Sequence, residues 1–318
     1  MIWIITLLQV FYNKITMRSY WDYFDDIEIK FKILDLKVNT PIIELKYEDE
    51  NLIIKDENDN LNGSFKDRSI GYQMARHIQQ GETRFALSSS GNSAVSACYI
   101  SRQYNVELQL FLSEQINSSK LNNIKELSNS KININLSNKP RSELIKFLNN
   151  NPDFINLRGS TDVYAPVGFK TISYELFEQV PEIDAIFIPC SSGTSSIGIN
   201  QGFQELNIHV PIHICQTEKI NSISKYFDVD FERKDTSLAD AITDRVAHRK
   251  NSVVEIIKKS NGFGWVISDT QLMEDKEIVN NLLHKDYSFN SLLAFSGWRK
   301  AVKKGYNYKY PVLLFSGL

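Results

Sequence analysis

From Thr40 onward, short apolar runs of strand character alternate with stretches whose apolar residues recur at helical spacing. That alternation limits the fold more than any other feature, because parallel strands need a long crossover between them and a helix supplies it. The runs "RFALSSS" (84–90), "VELQLFLS" (106–113) and "KININLS" (131–137) read as strands. Between the first two lies "SAVSACYISRQY", with Ala94, Ala97, Cys98 and Ser101 on one small-residue helical face; between the last two, a polar helix is expected around Leu121 to Leu127. The pattern restarts at "IDAIFIPC" (183–190), continues through a helix at Ser196 to Leu206 and the strand "VPIHICQT" (210–217), and then reaches the helix "VVEIIKKSNG", stopped by Gly262. The strand "GWVISD", two more helical stretches and the terminal strand "PVLLFSG" complete it. The fold class expected is α/β, as two open twisted domains with mainly parallel sheets.

The chain has 318 residues, 42% of them hydrophobic, which is enough for a large core. Its 36 basic and 38 acidic side chains give a net charge of −2 without any charged block, so nucleic acid is not an expected partner. Cys98, Cys190 and Cys215 are odd in number, widely spaced and set in apolar runs, as reduced core thiols of a cytosolic protein would be. The opening "MIWIITLLQVFY" is too short to span a bilayer and lacks the features of a secretory signal, so no membrane association is expected. Met17 reads as the true start, which leaves 1–16 as a non-native start or a flexible segment. His77, His209, His213, His248 and His284 show no ligand spacing, and no metal site is expected. The aromatic stretch "SYWDYFDD" (19–26) is expected to bury itself against the body or a second subunit.

Three small-residue loops follow or adjoin strands: "SSSGN" (88–92), "SSGTS" (191–195) and the final "SGL" (316–318). Such a loop entering a helix offers backbone N–H groups and hydroxyls to an anion, with the helix dipole assisting. Ser and Gly also make ordinary turns and caps, so one loop alone does not choose between the two. "GTSSIG" lacks the lysine of a nucleotide-binding P-loop, and "GFG" (262–264) lacks the third glycine of a dinucleotide fingerprint. Lys66, in "NGSFKDRS" (62–69), sits on the first turn of a helix whose face is Ile70, Met74 and Ile78 and whose stop is Gly81. The macrodipole disfavours a cation there. A partly desolvated amine able to form a Schiff base is one explanation, and a solvated lysine beside an Asp67–Arg68 cap is the other.

Taken together and in order, these stretches resemble the pyridoxal-phosphate enzymes of the tryptophan-synthase β-subunit type, above all threonine synthases. "NTPIIEL" is similar to that family's "TPL" entry segment, "NLIIKDENDNLNGSFKDR" to its "KDE…GSFKDR", and "SSSGNSAVSACYISRQY" to its "SSGNTGASLAAYA". "GFKTISYEL", "IDAIFIPCSSGTSSIGINQGFQEL", "SLADAI" and the terminal Ser-Gly match as well. The resemblance implies a smaller domain of 61–160 and a larger one of 17–60 with 161–318, and pyridoxal 5'-phosphate as cofactor, held in the cleft between the domains, with the larger domain binding it. It implies that Lys66 carries the cofactor as a Schiff base and moves the Cα proton. It further implies that Asn92 bonds the cofactor's 3′-oxygen, that Ser88, Ser89, Ser90 and Gly91 bind the substrate carboxylate, and that Ser192, Gly193, Thr194 and Ser195 hold the phosphate. Ser316 would face the pyridine nitrogen, and a hydroxyl there suits elimination or replacement at Cβ better than transamination. The activity implied is that of a lyase on a small amino acid, threonine-synthase-like, with cysteine-synthase-like β-replacement or serine/threonine dehydration as alternatives. A cofactor-fold protein that binds without catalysis is the reading from another class. A homodimer is expected.

The departures concern the substrate. Where threonine synthases carry a phosphate-binding arginine in "YRLEGQKT", this chain has "YAPVGFKT" with Ala165, and only Lys170 remains as a cation of that motif. The "EP" before the late small-residue helix is replaced near Ser288 and Phe289. A phosphorylated substrate is therefore expected to be poor.

Overall fold

The structure, a computed structural model, describes residues 19–89 and 91–317. The expectations for 1–16, for Met17 and for Ser90 lie outside the described residues.

Among the described residues, ten strands divide between two sheets. The first contains β1 (Ile42–Tyr47), β2 (Glu50–Asp56), β7 (Ala185–Pro189), β8 (Ile212–Thr217), β9 (Gly264–Ile267) and β10 (Pro311–Phe315), in the order β1-β2-β10-β7-β8-β9. Only the β1–β2 pair is antiparallel. The second contains β3 (Arg84–Ser88), β4 (Glu107–Ser113), β5 (Ile132–Ser137) and the two-residue β6 (Ile155–Asn156), all parallel, in the order β5-β4-β3-β6. β7, β8 and β10 are buried along their whole length, as strands covered by helices on both faces must be.

The helices are α1 (Lys66–Gln79), α2 (Asn92–Tyr104), α3 (Ser118–Leu127), α4 (Pro140–Asn150), α5 (Lys170–Gln179), α6 (Thr194–Glu205), α7 (Lys250–Lys259), α8 (Asp269–Leu283) and α9 (Phe289–Lys303). The small-residue face of α2 is buried at Ala94, Ala97, Cys98 and Ser101, which lets α1 and β4 approach it closely. Gly81 stops α1 with φ near +97°, the left-handed conformation that glycine adopts most easily. The three cysteines are free and buried.

Within 19–26, Tyr20, Trp21, Tyr23 and Phe24 are buried against the body of the chain. Tyr23 stacks on Tyr174 of α5, and Phe24 packs on Tyr72 of α1. The Tyr20 hydroxyl donates to the Arg68 carbonyl, so this segment braces the first turn of α1. His213 is a core residue of β8, whereas His209 is exposed. Trp265 Nε1 donates to His213 Nδ1 at 3.1 Å, and burial pulls the ring's pKa down to about 3, so it is neutral. No helix among the described residues is long and apolar enough to cross a membrane.

Candidate active site

The carboxyl ends of β10, β7 and β3 open toward one cleft of about 470 Å³, the location expected of ligands in parallel α/β sheets. Its lining contains Lys66, Ser88, Ser89, Gly91, Asn92, Ser192, Gly193, Thr194, Ser195 and Ser316. Residues drawn from four separate stretches of sequence thus face one cavity.

Lys66 does not follow a strand directly. Between β2 and α1 lie a 3₁₀ turn at Glu57–Asp59 and a loop whose Ser64 bridges to Gly317. Phe65 N donates to Ser316 O at 3.1 Å, which ties the start of α1 to the chain end. Gly317 has φ near +147°, and a Cβ there would come within 2.4 Å of Ser64 Cβ and 2.9 Å of Asn92 Nδ2. Only glycine lets these three segments meet. Ser288 Oγ and Ser291 Oγ donate to Gly317 O at 2.6 and 2.9 Å. The stretch that departs from the family's "EP" therefore anchors the terminal Ser-Gly.

Lys66 is half-buried, with its Nζ 4.5 Å from the centre of the Phe65 ring and 5.6 Å from that of Phe169. Burial lowers its pKa from 10.5 to about 8, opposed only by the Cys190 thiol, which burial in turn pushes up to about 12. Behind Lys66 the helix is fixed by its neighbours. Asp67 accepts from Asn62 N at 2.7 Å and from Ser96 Oγ of α2 at 2.6 Å. Arg68 is fully buried and forks onto Glu57 and Glu175, and Lys55 reaches Glu175 at 2.6 Å. The Asp67–Arg68 pair is thus interior rather than a solvated cap.

The 191–195 loop enters α6 through Gly193 at φ near +88°, and no side chain caps the helix. A Cβ on Gly193 would meet Val253 Cγ2 at 2.4 Å, so the backbone lies against α7 while the loop lines the cleft. Thr194 Oγ1 donates to Gly159 O at 3.0 Å, and Ser192 Oγ lies 2.8 Å from Thr194 Oγ1. Ser191 Oγ accepts from Thr243 N and Asp244 N, both at 3.1 Å. An uncapped helix N-terminus ringed by hydroxyls, facing a half-buried amine, suits a phosphorylated aldehyde.

Several cleft residues carried no expectation from sequence. Lys120, Arg158, Asp240, Asp244 and Asn290 line it. Arg158 follows the two-residue β6, too short to read from its sequence, and its Nη2 lies 3.6 Å from Asp244. Asp240 belongs to "SLADAI", a motif matched without a role. Ala165 is fully buried and does not line the cleft; its carbonyl accepts from Ser69 Oγ at 2.6 Å. Lys170, the one cation left in that motif, is also absent from the lining and pairs with Glu205 at 2.5 Å. Among the described residues no cluster of His, Cys, Asp or Glu could hold a metal.

Residues 33–280 match the family described as "Pyridoxal-phosphate dependent enzyme". The human L-serine dehydratase/L-threonine deaminase is 30% identical over 190 residues, which cover 57% of this chain and 58% of that protein. The match therefore spans under two thirds of that relative's length. Among solved structures, maize serine racemase aligns with a TM-score of 0.74 at 19% identity, covering 88% of each chain. The O-acetylserine dependent cystathionine beta-synthase from Helicobacter pylori aligns with a TM-score of 0.75 at 14% identity, covering 95% of each chain. A fungal L-serine ammonia-lyase from Rhizomucor miehei aligns at 0.74 and 19% identity, covering 88% of this chain and 93% of the other. At such identities the likeness establishes the two-domain fold, while the match over 33–280 establishes the family: the chain belongs to the pyridoxal-phosphate dependent enzymes.

Proposed function

We propose that this protein is a lyase that removes a leaving group from Cβ of a small amino acid, with Lys66 as covalent anchor and base. The observation that carries the reading is the meeting, in one cleft, of a lysine of lowered pKa with an uncapped helix N-terminus and the two other small-residue loops. Pyridoxal phosphate, when bound, supplies an electron sink conjugated to the substrate's Cα. Ser192, Gly193, Thr194 and Ser195 hold its phosphate, Asn92 its ring oxygen and Ser316 its ring nitrogen. Ser88, Ser89, Ser90 and Gly91 hold the substrate carboxylate. Lys66, once released from the cofactor, is partly neutral near pH 8 and takes the Cα proton, with Phe65 and Phe169 keeping water from its amine. In this arrangement the larger body, with 17–60 and 161–318, contributes the phosphate site, and 61–160 contributes the carboxylate site. The buried free thiols suit a reducing compartment, the cytosol. A homodimer belongs to the same reading.

The named activity of the human relative supports dehydration of serine or threonine. A threonine-synthase-like reaction on a phosphorylated amino acid is the second reading, and Arg158 is the observation that favours it. Ala165 is buried and not part of the cleft lining, whereas Arg158 is part of it, with its guanidinium 3.6 Å from Asp244. The test is kcat/KM for serine, threonine, O-acetylserine and O-phosphohomoserine under identical conditions. Serine or threonine is expected to lead, with keto acid and ammonia as products. A lead for O-phosphohomoserine that falls at least tenfold in Arg158→Ala would establish the second reading instead, and inactivity toward all four in cofactor-loaded protein would sink both.

A further inference from the structure

Adjacent residues of one segment serve different cavities. Asp244 lines the active-site cleft, while Arg245 lines a second concavity of about 160 Å³. Its charged lining is Lys219, Lys225, Arg233, Arg245 and Lys250, with no carboxylate among them. None of the five is ion-paired among the described residues; Lys250 Nζ donates to the Tyr226 hydroxyl at 3.3 Å. Surface cations ordinarily alternate with acids, and five like charges around one hollow repel one another unless an anion joins them. Lys250 is also the first residue of α7, a ten-residue helix with no side-chain cap, so the positive end of a helix dipole adds to the field where a cation is least favoured.

The lining also defines the ligand. A phosphate monoester carries about two negative charges near neutral pH, so five cations exceed what one can balance. Arg233 and Arg245 offer planar forks suited to phosphate oxygens, and Asn221 and Ser222 add neutral polar groups. Ile220 and Val246 are the apolar lining; among the described residues no aromatic ring belongs to it, and the exposed Tyr226 ring lies against Lys225 and Lys250. We propose that this concavity binds a small molecule through two or three linked phosphate groups and that its occupancy is linked to the cofactor-phosphate loop 191–195.

Two physical connections carry the link. Thr243 N and Asp244 N hold Ser191 Oγ, and Ser222 Oγ of the basic hollow donates to Asp244 O at 3.3 Å. On α7, Val253 lies one turn beyond Lys250 and packs against Gly193. An anion drawing Arg245 and Lys250 together therefore acts on both supports of the loop. The link, though not the binding, rests on the reading of 191–195 as the cofactor's phosphate site.

Calorimetric titration of the cofactor-loaded protein with inorganic tripolyphosphate tests the proposal. One saturable site is expected, at least tenfold tighter than for orthophosphate, weakened at least tenfold in Arg233→Ala/Arg245→Ala and unchanged in Lys131→Ala. Circular dichroism and melting temperature establish that the double variant folds. At saturation, the cofactor's dissociation constant should change at least threefold in the wild type and not in the double variant. Absence of a saturable site, or binding indifferent to the double substitution, overturns the site. A duplex oligonucleotide that binds more tightly and is lost in the same variant overturns it in favour of a nucleic-acid surface. An unchanged cofactor constant overturns the link, and protein that takes up no cofactor but binds tripolyphosphate here fails the proposed function while leaving the site standing.

Discussion

At the scale of the residue, Lys66 illustrates a conflict between stability and chemistry. Burial lowers its pKa from 10.5 to about 8, so between those values the unfolded chain binds more protons than the native one, and apoprotein stability rises with pH through that window. Below it the native state carries the full penalty, at most about 3.5 kcal/mol at ~1.4 kcal/mol per pKa unit, lessened by whatever water the cleft admits. Lys66→Met apoprotein is accordingly expected to be more stable than wild type by about 2 to 3 kcal/mol near pH 7, with the gap roughly halved by pH 9.5. Urea unfolding at both pH values measures this, and a gap that does not shrink with pH would mean the amine is solvated. Borohydride reduction of the loaded protein should separately leave the label on Lys66 and not on Lys170.

At the scale of the element, α1 is the piece whose placement decides the site. Its second and third residues, Asp67 and Arg68, point inward to α2 and to the Glu57–Glu175–Lys55 cluster, which leaves Lys66 directed at the cleft. Burial pushes the Glu175 carboxyl up, but Arg68 and then Lys55 outweigh it and hold the pKa well below the usual carboxylate range. The stability this contributes is present above the ordinary carboxylate pKa and is lost as pH falls through the lower native value. Glu175→Ala leaves two buried cations with one carboxylate between them, and a loss of about 3 to 5 kcal/mol is expected. A loss under about 1 kcal/mol in denaturant titration would mean that water enters and the cluster is not dry.

At the scale of the molecule, the cleft is built from both sheets, so a ligand held there draws on both bodies. Removal of pyridoxal phosphate should lower the melting temperature of the whole chain as a single transition. At a hundredfold excess over the dissociation constant, the cofactor adds about 2.7 kcal/mol. Scanning calorimetry of apo and loaded protein checks this, and a shift confined to one of two resolved transitions would show that only one body holds the cofactor. The same geometry bears on the charge argument built on Ala165. Its place in a motif was legible, but the packing of β6 beside β3 was not, and it is the loop after β6 that brings Arg158 into the cleft lining.

The sequence by itself determined the α/β class, the parallel core strands and most helix positions, because these follow from local periodicity and from glycine stops such as Gly81. Lys66 and the three small-residue loops were also legible, since a cation at a helix start and Ser/Gly runs after strands are local anomalies. Other features belong to the tertiary structure. The antiparallel β1–β2 pair, the two-residue β6 and helix α4 carry too few patterned residues to stand out. The interior fate of Arg68, the anchoring of Gly317 by Ser288 and Ser291, and the entry of Arg158, Asp240 and Asp244 into the cleft are contacts between residues far apart in the chain. Sequence spacing constrains which face of its own element a residue occupies, but the partner opposite that face is chosen by how whole elements pack.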